Sequence, residues 1–356
     1  MVLESRADIG GHNKPETYLL NLATGTTLTI TNGGFFSVSI DRKVLAYRGI
    51  AMNEQGLVTK DELILANAEG QPLKTIPWDK SWQEILGWTN NQELIFHQST
   101  PGETASKSES WLVLNPVNGQ RHYLGRNLPQ FPVSSDTKLP YWGGWYGVMY
   151  DPTLTRAIYP RLVGAGDQLT YGLWDVTDQK LVTSLESIYT APAADNDIYP
   201  LPTWTPDGSQ FVFQGLVDMS PAQTLLELYR VSRNGKVEQL THLNTVAAVE
   251  EGNVSWSPNG RYVAMFLNQN EQQARVAVLD TTTLDIKDYC FPITYAGQGY
   301  ELQPPSAIWS PDSTQLIVYD WYSKDHQRVL LVDIAKGFAA QIAQDAEPAG
   351  WMLSDN

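Results

Sequence analysis

Apolar positions along the chain fall in short runs of β-branched, aromatic and aliphatic residues, broken by turn-forming residues, and one such phrase recurs. It first reads Pro202-Thr203-Trp204-Thr205-Pro206-Asp207-Gly208, followed by Ser209-Gln210-Phe211-Val212-Phe213. It returns from Val254 to Met265 around Trp256-Ser257-Pro258-Asn259-Gly260, and from Ala307 to Val318 around Trp309-Ser310-Pro311-Asp312-Ser313. The three tryptophans are spaced 52 and 53 residues apart. Each phrase predicts a strand, a tight turn and a second strand, because Pro presets φ, Asp caps the local backbone and Gly accepts φ > 0. Degenerate copies span Phe36 to Tyr47, Ile85 to Phe96 and Trp145 to Tyr159.

A second strand–turn–strand phrase follows each copy, as in Leu228 to Thr241 with Asn234-Gly235 at its turn. Its equivalents are Tyr18 to Ile30, Glu62 to Ile76, Trp111 to Leu124, Tyr171 to Leu185, Arg275 to Tyr289 and Val329 to Ile342. Two phrases make four antiparallel strands, a to d, which is one propeller blade. At the two ends stand half-units: Gly350 to Leu353 reads as a strand a without a successor, and Val2 to Ser5 as a strand b without a predecessor. Paired sandwiches or a solenoid leave such complementary halves unexplained. The expected fold is therefore all-β, a seven-bladed β-propeller of four-stranded antiparallel blades, one blade completed by both termini. A single domain covers 1–356. Its first blade is expected at 1–31 plus 349–356, and the others at 35–78, 82–125, 139–186, 198–241, 252–291 and 305–343.

Composition narrows what such a fold would meet. Hydrophobic residues are 42% and aromatics 11%, enough for a packed core, while charged residues are only 18%. A net charge of −15 repels phosphate backbones and anionic lipid, so nucleic acid is excluded as an expected partner. No apolar run is long enough to span a membrane. The lone Cys290 permits no internal disulfide and is expected to be a small buried hydrophobe.

The repeated Trp-Ser-Pro-Asp/Asn-Gly turn resembles that of the TolB-like propeller family, a propeller type also found in prolyl oligopeptidase-like enzymes. The resemblance covers nearly the whole chain and is strongest from Trp204 to Val332. Leu173-Trp174-Asp175 shares the Trp-Asp of WD repeats, without their Gly-His. The resemblance implies a non-enzymatic, often exported protein that binds other proteins, and it carries over no catalytic residue. Met1 to Arg6 lacks a charged n-region and an apolar h-region, and the expected location is extracytoplasmic (periplasmic, secreted or surface-anchored), with the export signal not present in this sequence.

Catalytic motifs are missing from the sequence. No Gly-x-Ser-x-Gly elbow occurs; Gly144-Trp145-Tyr146-Gly147 has no serine. His12, His97, His122, His242 and His326 form no local ligand pair. Asp195-Asn196-Asp197 alternates oxygen side chains but continues into Ile198-Tyr199-Pro200 where a calcium loop wants glycine. Gly164-Ala165-Gly166 reads as a simple turn of the chain. The expectation is no enzyme, no cofactor and no metal.

Loop lengths locate the working face. The a–b and c–d turns are short, whereas the b–c and d–a connections, which leave a blade at one end, are read as long: Gln98 to Ser110, Gly125 to Gly144, Glu186 to Pro202, Pro292 to Ser306. They carry Trp142, Tyr189, Asp197, Tyr199, Glu251, Tyr300, Glu301 and Trp321, aromatic anchors beside carboxylates. The expected partner is another protein or a glycan held by a monomeric chain. Carbohydrate or small-ligand binding in a central funnel is one alternative, and a hydrolase or lyase with dispersed channel residues the other.

Overall fold

A computed structural model describes residues 1–5, 16–98, 110–124, 150–163, 168–185, 188, 202–220, 223–243, 254–270, 273–294, 307–323 and 326–353. Every regular element among the described residues is a strand, and no helix there is long and apolar enough to cross a membrane. The strands form two compact units, one of residues 1–126, 327–329 and 341–356, the other of residues 127–326 and 330–340.

The first unit opens with β1 (Val2–Ser5), β2 (Glu16–Leu20) and β3 (Thr27–Val38). The strands β4 (Leu45–Met52), β5 (Val58–Ala66) and β6 (Pro72–Pro77) follow. A third sheet holds β7 (Trp82–Trp88), β8 (Leu94–Gln98), β9 (Ser110–Leu114) and β10 (Arg121–Leu124). In the second unit, β11 (Arg156–Val163), β12 (Gln168–Asp175) and β13 (Lys180–Ser184) make a sheet, joined by a bridge from Tyr150 to Ala157 where strand a is expected. The fifth sheet is β14 (Thr203–Trp204), β15 (Gln210–Ser220), β16 (Gln223–Ser232) and β17 (Val237–Gln239). The sixth is β18 (Ser255–Trp256), β19 (Tyr262–Asn270), β20 (Gln273–Asp280) and β21 (Ile286–Thr294). The seventh is β22 (Ile308–Trp309), β23 (Gln315–Ser323), β24 (His326–Asp333) and β25 (Phe338–Gln344), and β26 (Ala346–Gly350) ends the series. This is a seven-bladed β-propeller, as the repeat count requires.

β26 pairs with β1, β1 with β2 and β2 with β3, so strands from both ends complete one blade. The pairing strand is Ala346–Gly350, not Gly350 to Leu353 as the sequence suggests. Ala-Glu-Pro-Ala-Gly has weak strand preference of its own, and its extended form is imposed by β1. β3 is one continuous strand shared by the first and second sheets, which gives the order β26-β1-β2-β3-β4-β5-β6.

The turns explain the repeat. Each a–b turn places one residue in the left-handed region: Arg42, Gln92, Leu154, Gly208, Gly260 and Ser313. So does each c–d turn: Gly25, Gly70, Gly119, Gln179, Gly235, Leu284 and Gly337. In several a–b turns a buried hydroxyl both gives and takes. Ser257 Oγ donates to Asn259 Oδ1 at 2.7 Å and accepts the Tyr262 N–H at 2.9 Å. Ser310 does the same with Asp312 and Gln315, at 2.6 and 2.9 Å, and Ser39 with Asp41 and Val44. Thus Ser39, Ser257 and Ser310 are buried without a polar penalty.

Adjacent blades are joined by the repeated tryptophan. Trp256 Nε1 donates to Thr203 O at 2.9 Å, and Trp309 Nε1 to Ser255 O at 3.1 Å. In return, Thr203 Oγ1 donates to Val254 O at 3.0 Å and Ser255 Oγ to Ala307 O at 2.7 Å. In the first unit Trp88 Nε1 reaches Ser37 O at 3.3 Å. Between the sheets lie apolar layers such as Val212, Leu228, Trp256, Val263 and Met265.

In several turns a carboxylate ionises more readily than usual. Backbone N–H donors, from Asp178 and Lys336 foremost, hold Asp175 and Asp333 low; the Arg261 guanidinium does so for Asp280 and the Ser310 hydroxyl for Asp312. A depressed folded pKa adds stability above the unfolded value near pH 4, and that stability is lost as pH falls through the folded value. The thermal midpoint is therefore expected to drop as pH goes from about 5 to about 3. A midpoint flat across that window would refute the assignment.

Candidate functional site

Seven of the eight residues read as partner-binding, Trp142, Tyr189, Asp197, Tyr199, Glu251, Tyr300 and Glu301, lie outside the described residues. So do Asp195-Asn196-Asp197 and Gly164-Ala165-Gly166. Trp321 lies within strand β23 rather than in a connection, as does Tyr322. The reason is that several b–c connections are shorter than the sequence suggests. β15 and β16 stay paired out to Ser220↔Gln223, and β19 and β20 out to Asn270↔Gln273, leaving two residues between each pair of strands. β23 ends at Ser323 and β24 begins at His326. Polar residues such as Asp218 and Asn268 stand within the ladder, opposite Leu225 and Ala274.

Cys290 is exposed, contrary to the expectation of burial. It lies on the outermost strand of its sheet, where a register shift between Arg275 and Ala277 sets it at φ 56° and turns it out of the core.

In the first unit the b–c and d–a end of the second sheet is described, and the residues that shape it were not singled out from the sequence. Arg48 on β4 donates from Nε and Nη2 to the two carboxylate oxygens of Asp61 on β5, both at 2.7 Å. That bidentate bond raises the Arg48 pKa. Its guanidinium lies 4.7 Å from the Trp78 ring centre, and the Trp78 N–H donates to Asp61 O at 2.9 Å. The d–a connection after β6 is equally fixed. Trp78 Nε1 donates to Trp82 O at 3.2 Å, and Trp82 stacks on Phe96 at 4.4 Å. Asp79 accepts the Ser81 N–H at 3.0 Å and Arg121 Nη1 at 3.1 Å, and these bonds, Ser81's first, lower its pKa. Arg121 in turn lies 5.2 Å from the Trp82 ring centre.

Beyond this base the β4–β5 hairpin continues as a two-stranded ribbon. Asn53 Oδ1 accepts the N–H groups of Gln55 and Leu57 at 3.0 and 2.9 Å, and Gly56 takes φ 76°. Met52, Leu57 and Val58 at the tip are 56%, 61% and 54% exposed. The signal for it in the sequence is Asn53-Glu54-Gln55-Gly56, a turn flanked by apolar residues where polar ones are usual.

Among the described residues the second unit buries the carboxylates of Asp320 on β23 and Glu227 on β16. Asp320 accepts the Thr294 N–H at 2.7 Å, tying β21 to β23. Glu227 is buried on β16, and desolvation together with its charge raises the Tyr229 phenol. Among the described residues no group of three His, Cys, Asp or Glu side chains is placed to hold a metal ion. His122, His242 and His326 are exposed on or beside strands of three different sheets.

No family model and no curated protein matches the chain. Solved structures do. The chain is similar to the β-propeller domain of the Trilobed protease from Pyrococcus furiosus, at 14% identity and a TM-score of 0.57, over 98% of this chain and 95% of that one. It is similar to an oligogalacturonate lyase solved in complex with manganese, at 11% identity and a TM-score of 0.53, over 96% and 84% of the two chains. It also matches TolB from Acinetobacter baumannii at 15% identity and a TM-score of 0.47, over 95% and 78%. At such identities the likeness to the first two establishes the propeller fold and leaves the chemistry to the residues.

Proposed function

We propose that this chain is a non-catalytic, extracytoplasmic binding platform that engages another protein through the end of its blades where the b–c and d–a connections emerge. The observation that carries this reading is an asymmetry between the two ends. The thirteen a–b and c–d turns named above each use one left-handed residue and close tightly. Those turns spend their polar groups on their own backbone, as Asn21, Asn67 and Asn115 do on c–d turns, accepting the N–H groups of Ala23, Gln71 and Val117 at 2.9, 2.8 and 3.0 Å. The other end has tight b–c hairpins as well, but it also carries the longest connections, with the aromatic and acidic residues Trp142, Tyr189, Asp197, Tyr199, Glu251, Tyr300 and Glu301. Sequence variety placed over a rigid scaffold is where recognition is usually found.

Metal content and glycan-array binding of the purified chain, measured with and without chelator, test the reading. The expected result is no stoichiometric metal and no glycan signal. Bound metal or a chelator-sensitive glycan signal would move the function to a lyase or a lectin.

A further inference from the structure

We propose that the β4–β5 ribbon is a docking finger whose apolar tip seats a basic amphipathic segment of a partner protein. This rests on the platform reading, since the ribbon is the b–c connection of the second sheet.

The ribbon overhangs its own sheet. β3 pairs with β4 only as far as Gly33↔Gly49, and β6 pairs with β5 only from Glu62↔Pro77. Residues 51 to 60 are all exposed, yet β4 and β5 remain paired out to Met52↔Val58. Met52 and Val58 are therefore cross-strand neighbours on one face, with Leu57 beside them at the turn. The finger is also fixed before any partner arrives. Asn53 caps its turn, Thr59 Oγ1 donates to Ala51 O at 3.1 Å, and the Arg48–Asp61–Trp78 arrangement holds its base. Ordering entropy is thus spent in folding rather than in binding. The turn itself needs only Asn53 and Gly56. Three large apolar side chains on an overhanging ribbon add nothing to the core and raise the aggregation hazard, the mark of an interaction element.

Charge selects the occupant. Residues 49 to 60 carry only Glu54 and Lys60, so the tip is a neutral apolar island on a chain of net charge −15. A second copy would bring −15 against −15, and an anionic bilayer is likewise repelled. A basic segment is drawn in by the long-range field, and its apolar positions meet Met52, Leu57 and Val58.

A random 15-residue phage-displayed peptide library panned on the purified chain tests this. The comparison is a Met52→Ser/Leu57→Ser/Val58→Ser variant, whose charge is unchanged and whose thermal midpoint is expected to stay with the parent. Enriched peptides should combine Lys or Arg with apolar residues, and the best synthetic peptide should bind the variant at least tenfold more weakly. Equal affinity for the variant, enrichment without basic residues, or no enrichment overturns the proposal. A Trp142→Ala/Tyr199→Ala variant separates the two readings. Peptides lost there but kept by the tip variant leave the platform standing without the finger, and peptides kept by both variants remove both. Tip-dependent dimerisation in sedimentation, or tip-dependent flotation with phosphatidylcholine/phosphatidylglycerol vesicles, would assign the finger to another occupant.

Discussion

Trp256→Ala is expected to lower the unfolding free energy of this protein by about 3–5 kcal/mol, the range for removing a buried large aromatic. Two losses combine. The indole fills the layer shared by Val212, Leu228, Val263 and Met265, and a truncated side chain leaves a cavity between two sheets that their short turns keep from collapsing. The Nε1 donor to Thr203 O also disappears. Trp256→Phe separates the two, since it keeps most of the volume and removes only the donor. It should cost about 1–2 kcal/mol. Urea unfolding followed by circular dichroism reads both, with the midpoint moving and the slope unchanged. An alanine variant within 1 kcal/mol of the parent would show that the inter-blade layer does not depend on this ring.

The second large effect is expected at Asp151. This carboxylate is fully buried where the fourth sheet's a–b turn has an acid in place of the usual Ser or Thr. It accepts the N–H groups of Thr155 and Arg156 at 2.8 and 2.6 Å, and the Thr153 hydroxyl. Arg233, from the c–d turn of the fifth sheet, donates to it at 2.7 Å and to Gly208 O at 2.9 Å, and contacts Thr155. Arg233→Met keeps the aliphatic stem and strands the charge. The expected cost is about 3 kcal/mol, because the buried carboxylate loses its counter-ion and keeps only the N–H groups of Thr155 and Arg156 and the Thr153 hydroxyl. Asp151→Asn should cost a similar amount alone, and the double variant clearly less than the sum. Strict additivity in that cycle would mean the two side chains do not stabilise each other.

The blade plan was legible because turn chemistry and the tryptophan lie close together in sequence. Trp204-Thr205-Pro206-Asp207-Gly208 announces a turn by itself, and the seven c–d phrases supplied the count. The degenerate copies were harder. At Arg42, Gln92 and Leu154 the left-handed position holds a residue that disfavours it, and the surrounding strands impose the conformation. What could not be read was pairing decided by distant neighbours. Asp218 looks like loop until Leu225 on the next strand pairs with it. Ala346–Gly350 has nothing to mark it as a strand except β1, more than 340 residues upstream. The candidate face was legible only as a composition of aromatic and acidic residues. The Arg48–Asp61–Trp78 base was missed because its three members are ordinary residues until the ladder brings them into contact.

The pairing of β26 with β1 also bears on how the chain is made. A ribosome releases residues in order, and the sheets after the first can each form soon after their own four strands emerge. The first sheet cannot, since β1 leaves the tunnel before every other described strand and its partner β26 comes some 340 residues later. Until β26 emerges, β1 therefore presents an unpaired edge. The nascent chain is most exposed to wrong pairing at β1, and a holdase that covers Val2–Ser5 would act longest there.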